Sequence, residues 1–182
     1  DVYKRQDLYG RYYRGGHLGF ESLNRSGGFP QSGNYTIRVR AAAISRTHPY
    51  GRTLGDFRNG DPLVVELASV DRRGSSALGL GNVTQSVSLT SFELTDSEPK
   101  WFEWTGYLEK GYEPEVRFRN GPAAAKNMIR KLLKNADKFP EFKPFAEIRE
   151  GGAYIRTHGT LKAYRGPRLR VWEIQIEGPH NT

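Results

Sequence analysis

Apolar and polar side chains alternate along most of the chain, and this pattern predicts short β-strands. Successive side chains of a strand point to opposite faces, so a buried face shows as every second residue. The pattern predicts strands over residues 35–44, 62–70, 84–94, 100–108, 114–119, 154–164 and 169–177, and a further short strand around 18–23. It selects as core Ile37, Val39, Val65, Leu67, Val116 and Phe118. We therefore predict an all-β fold, an antiparallel jelly-roll-like β-sandwich.

One segment has helical instead of alternating spacing. Residues 122–136 place on one stripe Met128, Ile129, Leu132, Leu133 and Ala136. Pro122 suits a first helical turn, and Pro140 and Pro144 forbid simple continuation. We predict one inserted amphipathic helix, within a helical insertion at 122–150, that caps an end of the sandwich. The alternative is a target helix for a calmodulin-like protein or a membrane surface.

Composition agrees with a single domain of strands and turns. The 182 residues fit one domain with a sizeable core, and 21 Gly, 10 Pro and a high share of Tyr, Phe and Trp favour short strands. The absence of Cys excludes disulfides, thiolate metal sites and a C-x-x-C-H haem attachment. We assign residues 7–179 to the domain, 1–6 to an artefactual or disordered tail, and 180–182 to a second tail. Because the sequence begins at Asp1 without Met, we expect it to be a piece of a longer chain.

Three predicted strands carry an Arg-x-Arg pair opposite their apolar face, in a chain of net charge +8. The pairs are Arg38 with Arg40, Arg117 with Arg119, and Arg168 with Arg170. One interpretation is a solvated sheet face, since Arg is common there. The other is that Arg38, Arg40, Arg117 and Arg119 form a basic surface for an anionic or polyhydroxylated partner, because a guanidinium offers several fixed donors.

The last strand contains a parity conflict. If Leu169 and Val171 face the core, strict alternation buries Glu173 and exposes Ile174 and Ile176. A β-bulge near residues 171–173 resolves the conflict. Otherwise Glu173 points inward and needs an Arg or a bound cation, which makes it the one metal candidate. We predict that the protein has no cofactor, although a structural calcium ion remains an alternative.

Motifs of common catalytic sites are missing, so we predict that the protein is not an enzyme. Ser75-Ser76 lacks the glycines of a nucleophile elbow, and the four His residues show no H-E-x-x-H spacing. The acidic residues always permit some glycosidase-like pair, so choosing one would be arbitrary.

Aromatic residues are the better candidates for a binding surface. In the run from Trp101 to Trp104, parity buries Phe102 and Trp104 and exposes Trp101. Sugar recognition combines an apolar wall with a few directed polar groups. We therefore predict a carbohydrate-binding cleft at loops and strand ends, formed by His48, Tyr50, Arg52, Trp101, Tyr112 and Tyr154.

Several of these segments resemble a known class of domains. The run from Gly33 to Ala43 resembles a strand of galactose-binding-like sandwiches, including carbohydrate-binding modules, and residues 100–118 resemble their strand, L-x-x-G turn and returning strand. The closing run from Gly166 to Pro179 resembles the sandwich region of large planctomycete-type multidomain proteins of unknown function, some with c-type haem domains. The resemblance implies a sandwich fold, sugar binding and an extracytoplasmic location.

Three functions follow in order of preference. The first is a noncatalytic carbohydrate-binding module that binds polysaccharide, including acidic glycans given the charge, within a larger multidomain protein. The second is a structural or protein-interaction spacer domain. The third is nonspecific binding of nucleic acid or another polyanion, disfavoured because charge alone gives salt-sensitive affinity. The expected partners are polysaccharide and flanking domains, without a membrane.

Overall fold

The computed structural model describes residues 5–9, 17–18, 28–55, 57–71, 85–95, 97–122, 125–148 and 152–181. Its strands are β1 (Gln6–Leu8), β2 (His17–Leu18), β3 (Gly33–Ile44), β4 (Leu63–Asp71), β5 (Gln85–Leu94), β6 (Lys100–Leu108), β7 (Tyr112–Phe118) and β8 (Arg168–His180). All pairs are antiparallel, in a first sheet of order β1-β8-β3-β6 and a second of order β2-β7-β4-β5. The predicted all-β sandwich is confirmed.

The two sheets enclose one hydrophobic core. Tyr35, Ile37 and Val39 of β3 face inward, and they pack in one cluster with residues of β4 and β7 such as Leu67 and Phe118. All six residues predicted for this core are buried, each at most 5% exposed. Removing such side chains from water supplies most of the stabilisation, at about 25 cal/mol for each Å² of apolar surface.

The predicted bulge in the last strand is confirmed. Arg40 of β3 lies opposite Glu173, but its neighbour Ala41 lies opposite Val171, so Trp172 is the extra residue. This insertion lets Val171 and Ile174 both face the core, where each is 0% exposed. Glu173 consequently lies on the outer face, and the inward carboxylate considered for a cation is not formed.

Helices make a second layer. They are α1 (Ala125–Lys134), the short α2 (Lys143–Ala146) and α3 (Ala153–Ala163), with 3-10 turns at Gly51–Leu54 and Pro140–Phe142. The predicted amphipathic helix is α1. The strand predicted over 154–164 is wrong, because that segment is α3. Its β-branched residues favoured a strand. In the helix, the hydroxyl of the buried Thr160 donates a hydrogen bond to the carbonyl of Arg156 one turn back, so the group is satisfied.

The helical layer caps one end of the first sheet. Its buried cluster joins α1 residues such as Leu132 to Tyr50, which follows β3, and to Tyr164, which precedes β8. We call this the helical end. The capping role predicted for α1 agrees with this packing, and the insertion extends beyond residue 150 to include α3. Among the described helices, none is both long and apolar enough to cross a bilayer.

Both proposed tails overlap the sandwich. Gln6 lies in β1 opposite Val171, and His180 lies in β8 opposite Asn34. The boundaries at residues 6 and 180 are therefore corrected. Residues 1–4 and 182, like most of the strand predicted around 18–23, lie outside the described part of the chain.

Candidate functional site

The outward side chains of β6, β3 and β8 form one continuous surface, which we call the ladder face. Strand register aligns its residues in rows across the three strands. From the helical end, the rows are Trp101–Arg40–Glu173, Glu103–Arg38–Gln175, Thr105–Thr36–Glu177 and Tyr107–Asn34–His180. Each row therefore presents side chains at the spacing of neighbouring strands, about 4.8 Å.

Arg38 organises the middle of the ladder face. Its Nε donates a hydrogen bond to Glu103 Oε2 at 2.7 Å, and its Nη1 donates to Glu177 Oε1 at 2.9 Å. These bonds, first to Glu103 and then to Glu177, raise the pKa of the guanidinium. One cation thus bridges β6 and β8 across β3 and contacts one carboxylate on each strand.

Hydroxyl groups extend this fixed polar surface. Thr36 Oγ1 lies 2.9 Å from Thr105 Oγ1 and 2.9 Å from His180 Nε2. The ladder face thus combines hydroxyl, carboxylate, imidazole and guanidinium groups, which are the donors and acceptors that sugar hydroxyls need.

Two exposed aromatic rings stand near opposite ends of this surface. Trp101 is 47% exposed and Tyr107 is 61% exposed. They share one face of β6 and are six residues apart, so their Cα atoms are separated by about 20 Å. That separation suits an extended chain of sugar units better than a single sugar.

The inward neighbours of Trp101 behave as parity predicts. Phe102 and Trp104 pack against the core, and the Phe102 ring centroid lies 4.9 Å from that of Phe92. A third tryptophan, Trp172, is half-buried at the bulge, with the Arg170 guanidinium carbon 5.9 Å from its ring centroid.

A surface depression of about 700 Å³ lies in the loop after β3. Arg52, Phe57, Arg58 and Asn59 line it, together with Gly51 and Gly55. Neither Arg52 nor Arg58 has an ion-pair partner among the residues that the structure describes. The depression therefore presents two guanidinium groups that form no ion pair within the described part of the chain.

Hydrogen bonds fix the shape of this loop. Gly60 N donates to Arg46 O, and the Arg46 side chain donates back to Gly60 O. His48 N donates to Asn59 Oδ1 at 2.8 Å. The two limbs of the loop are thus joined at its base, which lowers the entropy lost when a ligand binds.

His48 and Tyr50 lie beneath the surface, so their assignment to the sugar-binding cleft is corrected. His48 is 5% exposed and Tyr50 is 2% exposed. The Tyr50 ring stacks on Tyr164 at a centroid distance of 5.5 Å, and its hydroxyl accepts a bond from Arg165 N at 3.0 Å. Burial lowers the pKa of His48 and raises the pKa of Tyr50. A buried ring offers no face to a sugar.

The structure separates the other residues of the predicted cleft. Arg52 is exposed in the loop depression, and Trp101 lies on the ladder face near the same end. Tyr154 is 73% exposed, but it lies on α3 and contacts the ring of His158. Tyr112 begins β7 opposite Asp71, at the other end of the sandwich. These residues do not converge on one cleft.

The predicted basic surface is largely neutralised. Arg117 pairs with Glu115 at 3.1 Å and Glu66 at 3.6 Å, and Arg119 reaches Glu66 at 3.7 Å. On the first sheet, Arg168 and Arg170 both pair with Asp7. Together with the pairs of Arg38, these contacts correct the picture of a free cationic platform. Arg40 alone of the four residues assigned to that surface has no ion pair within the described residues.

Glu173 does not point into the core, which is the position considered for a metal ligand. It lies opposite Arg40 on the ladder face and accepts a bond from Gln175 Nε2 at 2.8 Å. Within the described residues, no group of three or more His, Asp or Glu side chains is placed to hold a metal ion.

Sequence reasoning missed Tyr107 and Arg58. Tyr107 has the same parity as Trp101 on β6, so the alternation that exposed Trp101 also contained the signal for Tyr107. No local pattern marks Arg58, because its place beside Arg52 depends on how the loop closes.

Comparisons with known proteins give one match. No protein-family model matches the chain, and no curated protein matches it. One solved structure that matches is the EclA C-terminal domain, described as a sugar-binding protein, with 12% identity and a TM-score of 0.38, over 97% of this chain and 80% of that one. A likeness of this size carries no argument about fold or function.

Proposed function

We propose that this domain is a noncatalytic carbohydrate-binding module whose ladder face binds polysaccharide. The observation that carries the proposal is the exposed Trp101 ring beside a fixed row of polar groups. An indole stacks on the C–H face of a sugar, while neighbouring polar groups orient its hydroxyls. Tyr107 provides a second ring farther along the same strand.

The noncatalytic character has its own support. Glu103 and Glu177, the carboxylates nearest the middle of the ladder face, both accept hydrogen bonds from Arg38. A glycosidase places two carboxyl groups on either side of the scissile bond, one as acid and one as base or nucleophile. Two carboxylates bridged by one guanidinium on an exposed sheet face do not have that arrangement.

We also propose a preference for acidic glycans. Its support is Arg40 on the ladder face and the pair of Arg52 and Arg58 in the loop depression, all without ion pairs among the described residues. Guanidinium groups bind carboxylates through paired, charge-assisted bonds. A glycan array with matched neutral and uronate-bearing polysaccharides tests the preference, and equal binding of both classes contradicts it.

The decisive variant is Trp101→Ala. We expect it to weaken glycan affinity by about 1–3 kcal/mol, the loss typical of an aromatic hot spot. The thermal midpoint should stay nearly unchanged, since Trp101 is 47% exposed and lies on the outer face of the sheet, away from the core. Isothermal titration with the best polysaccharide of the array measures affinity, and calorimetry measures the midpoint.

Tyr154→Ala is the matched control, because Tyr154 is an exposed aromatic outside the ladder face. It should leave glycan affinity unchanged. If Tyr154→Ala weakens binding and Trp101→Ala does not, the site lies on the helical layer and the ladder-face proposal is wrong.

The array also separates the alternatives when repeated at two salt concentrations. Salt-resistant binding of one polysaccharide supports the module. No binding supports a structural or interaction spacer, and equal, steeply salt-dependent binding of DNA and heparin indicates a generic polyanion surface.

We further propose that the module lies within a longer extracytoplasmic protein, as the resemblance of residues 166–179 implies. The full-length reading frame should contain flanking domains and an export signal.

A further inference from the structure

Most of the excess positive charge lies in the helical layer. Residues 122–167 contain ten Lys and Arg but only four Asp and Glu, so they carry six of the eight net charges. The arginines of the sheets are mainly held in ion pairs, as described above. Within the described residues, the helical layer therefore offers a partner positive charge that is separate from Arg40 and from the loop depression.

A groove of about 590 Å³ runs between α1 and α3. Ile129 and Leu133 of α1 form an apolar floor, and Ala153 and Thr157 of α3 form the facing wall. Cationic side chains of Arg130, Lys134 and Arg156 border it. Its volume falls within the roughly 300–1,000 Å³ of ordinary ligand pockets.

Helical spacing explains why charge and apolar surface occur side by side. Residues four apart lie on the same face of a helix, so Ile129 and Leu133 form one row and Arg130 and Lys134 the next. Arg130 and Lys134 are exposed, without ion pairs in the described part of the chain. The exposed ring of Tyr154 adds apolar surface beside the wall.

We propose that this groove docks an acidic amphipathic peptide segment of a partner protein. Apolar side chains of the segment fill the space over Ile129 and Leu133, and its Asp or Glu residues pair with Arg130, Lys134 and Arg156. A protein segment suits the groove better than a nucleic acid, because a phosphate backbone gains nothing from an apolar floor. The inference is independent of glycan binding by the ladder face.

The test uses the whole domain and a fluorescein-labelled peptide of Glu, Asp, Leu and Phe, about twelve residues long, which spans roughly 18 Å as a helix. Fluorescence anisotropy measures its affinity. The unlabelled competitors are the acidic peptide itself, a peptide of the same apolar residues with Lys replacing the acidic ones, a DNA oligonucleotide and heparin. The acidic peptide should bind, and its Lys counterpart should not compete.

Two double variants of equal charge change test the location. Arg130→Glu with Lys134→Glu should weaken peptide binding by about tenfold or more, because reversed charges at a docking surface repel the ligand. Lys138→Glu with Lys143→Glu, at exposed positions outside the groove, should change it less than about threefold. Leu133→Ser should also weaken binding, because apolar side chains of the peptide lie over Leu133. Circular dichroism establishes that each variant is folded.

Three results would overturn the proposal. They are no binding of the acidic peptide, equal losses in the two double variants, or DNA and heparin competing as well as the unlabelled acidic peptide. The Trp101→Ala variant should bind the peptide normally, so a failure here is distinguishable from a failure of the glycan proposal.

Discussion

The buried imidazole of His48 shows how a single residue links loop structure to pH. Its Nδ1 accepts a hydrogen bond from Tyr50 N at 3.2 Å, so Nε2 carries the proton of the neutral ring. Nε2 is buried and has no partner among the described residues. Protonation would place a charge between the rings of Tyr50 and Phe57, which is why burial lowers the pKa of His48.

The lowered pKa predicts that His48 destabilises the fold in acid. Above the unfolded-state pKa, about 6.5, the imidazole is neutral in both states. As pH falls through that value, the unfolded chain binds a proton more readily, so stability is lost until the folded-state pKa is reached. Urea unfolding at several pH values between neutral and acidic should give a flatter profile for His48→Asn than for the parent. An unchanged slope in His48→Asn would contradict this prediction.

The candidate site was predictable where strand parity decides exposure. Alternation correctly separated Trp101 from Phe102 and Trp104. It could not place His48 and Tyr50, because a loop position with turn residues favours exposure. What buries Tyr50 is Tyr164, which is remote in sequence and becomes its neighbour only when the helical layer packs.

At the scale of elements, the arginines of the strands differ in how much their ion pairs contribute to stability. Arg117 of β7 pairs with Glu115 of its own strand and Glu66 of β4, and these carboxylate side chains are only 6% and 13% exposed. Arg40 of β3 has no such pair within the described residues. Losing the counter-charge of a buried carboxylate costs more than losing a solvated cation.

We therefore expect Arg117→Gln to lower the free energy of unfolding by about 1–3 kcal/mol. Arg40→Gln should cost less than about 1 kcal/mol. Chemical denaturation of both variants at one ionic strength makes the comparison. Equal losses would show that Glu115 and Glu66 do not depend on Arg117.

The sequence predicts a strand or helix correctly where the local alternation of apolar and polar residues determines it. The bulge at Trp172 followed from the cost of burying Glu173, a conflict visible within five residues. The helix α3 was not predicted, because its Tyr, Ile and Thr residues have strand propensity. The residues that it packs against lie elsewhere in the sequence. Gly159 of α3 passes so close to the Phe145 ring that an added Cβ would clash with it. That contact forms only when the helical layer is assembled, so the local alternation of apolar and polar residues does not predict it.

At the scale of the whole molecule, Tyr50 connects the sandwich to the helical layer. Its ring contacts Phe139, Phe142 and Tyr164, all in the helical layer or its connections. Tyr50→Ala should therefore destabilise the domain by about 3–5 kcal/mol, as for other large aromatic residues removed from a core. Thermal unfolding measures the loss. Phe57, a core residue of the same loop, is left unchanged in this variant.

Tyr154→Ala is the control for this prediction, since that ring is exposed and should cost less than about 1 kcal/mol. If Tyr50→Ala proves equally mild, the helical layer is not held by the stacked rings. Glycan affinity of the surviving folded fraction should be unchanged in either variant.

Strand order has a consequence for synthesis of the protein. In the first sheet, β8 lies between β1 and β3, yet it is the last of the four described strands of that sheet to be synthesised. Until then β3 can pair only with β6, and its other edge exposes unpaired backbone groups that attract foreign strands. Pairing β1 with β8 also closes a loop of more than 150 residues, a nonlocal contact of the kind that slows folding. The first sheet of the nascent chain therefore stays half-built until residues 168–180 emerge, and the chain should depend on chaperones during that interval.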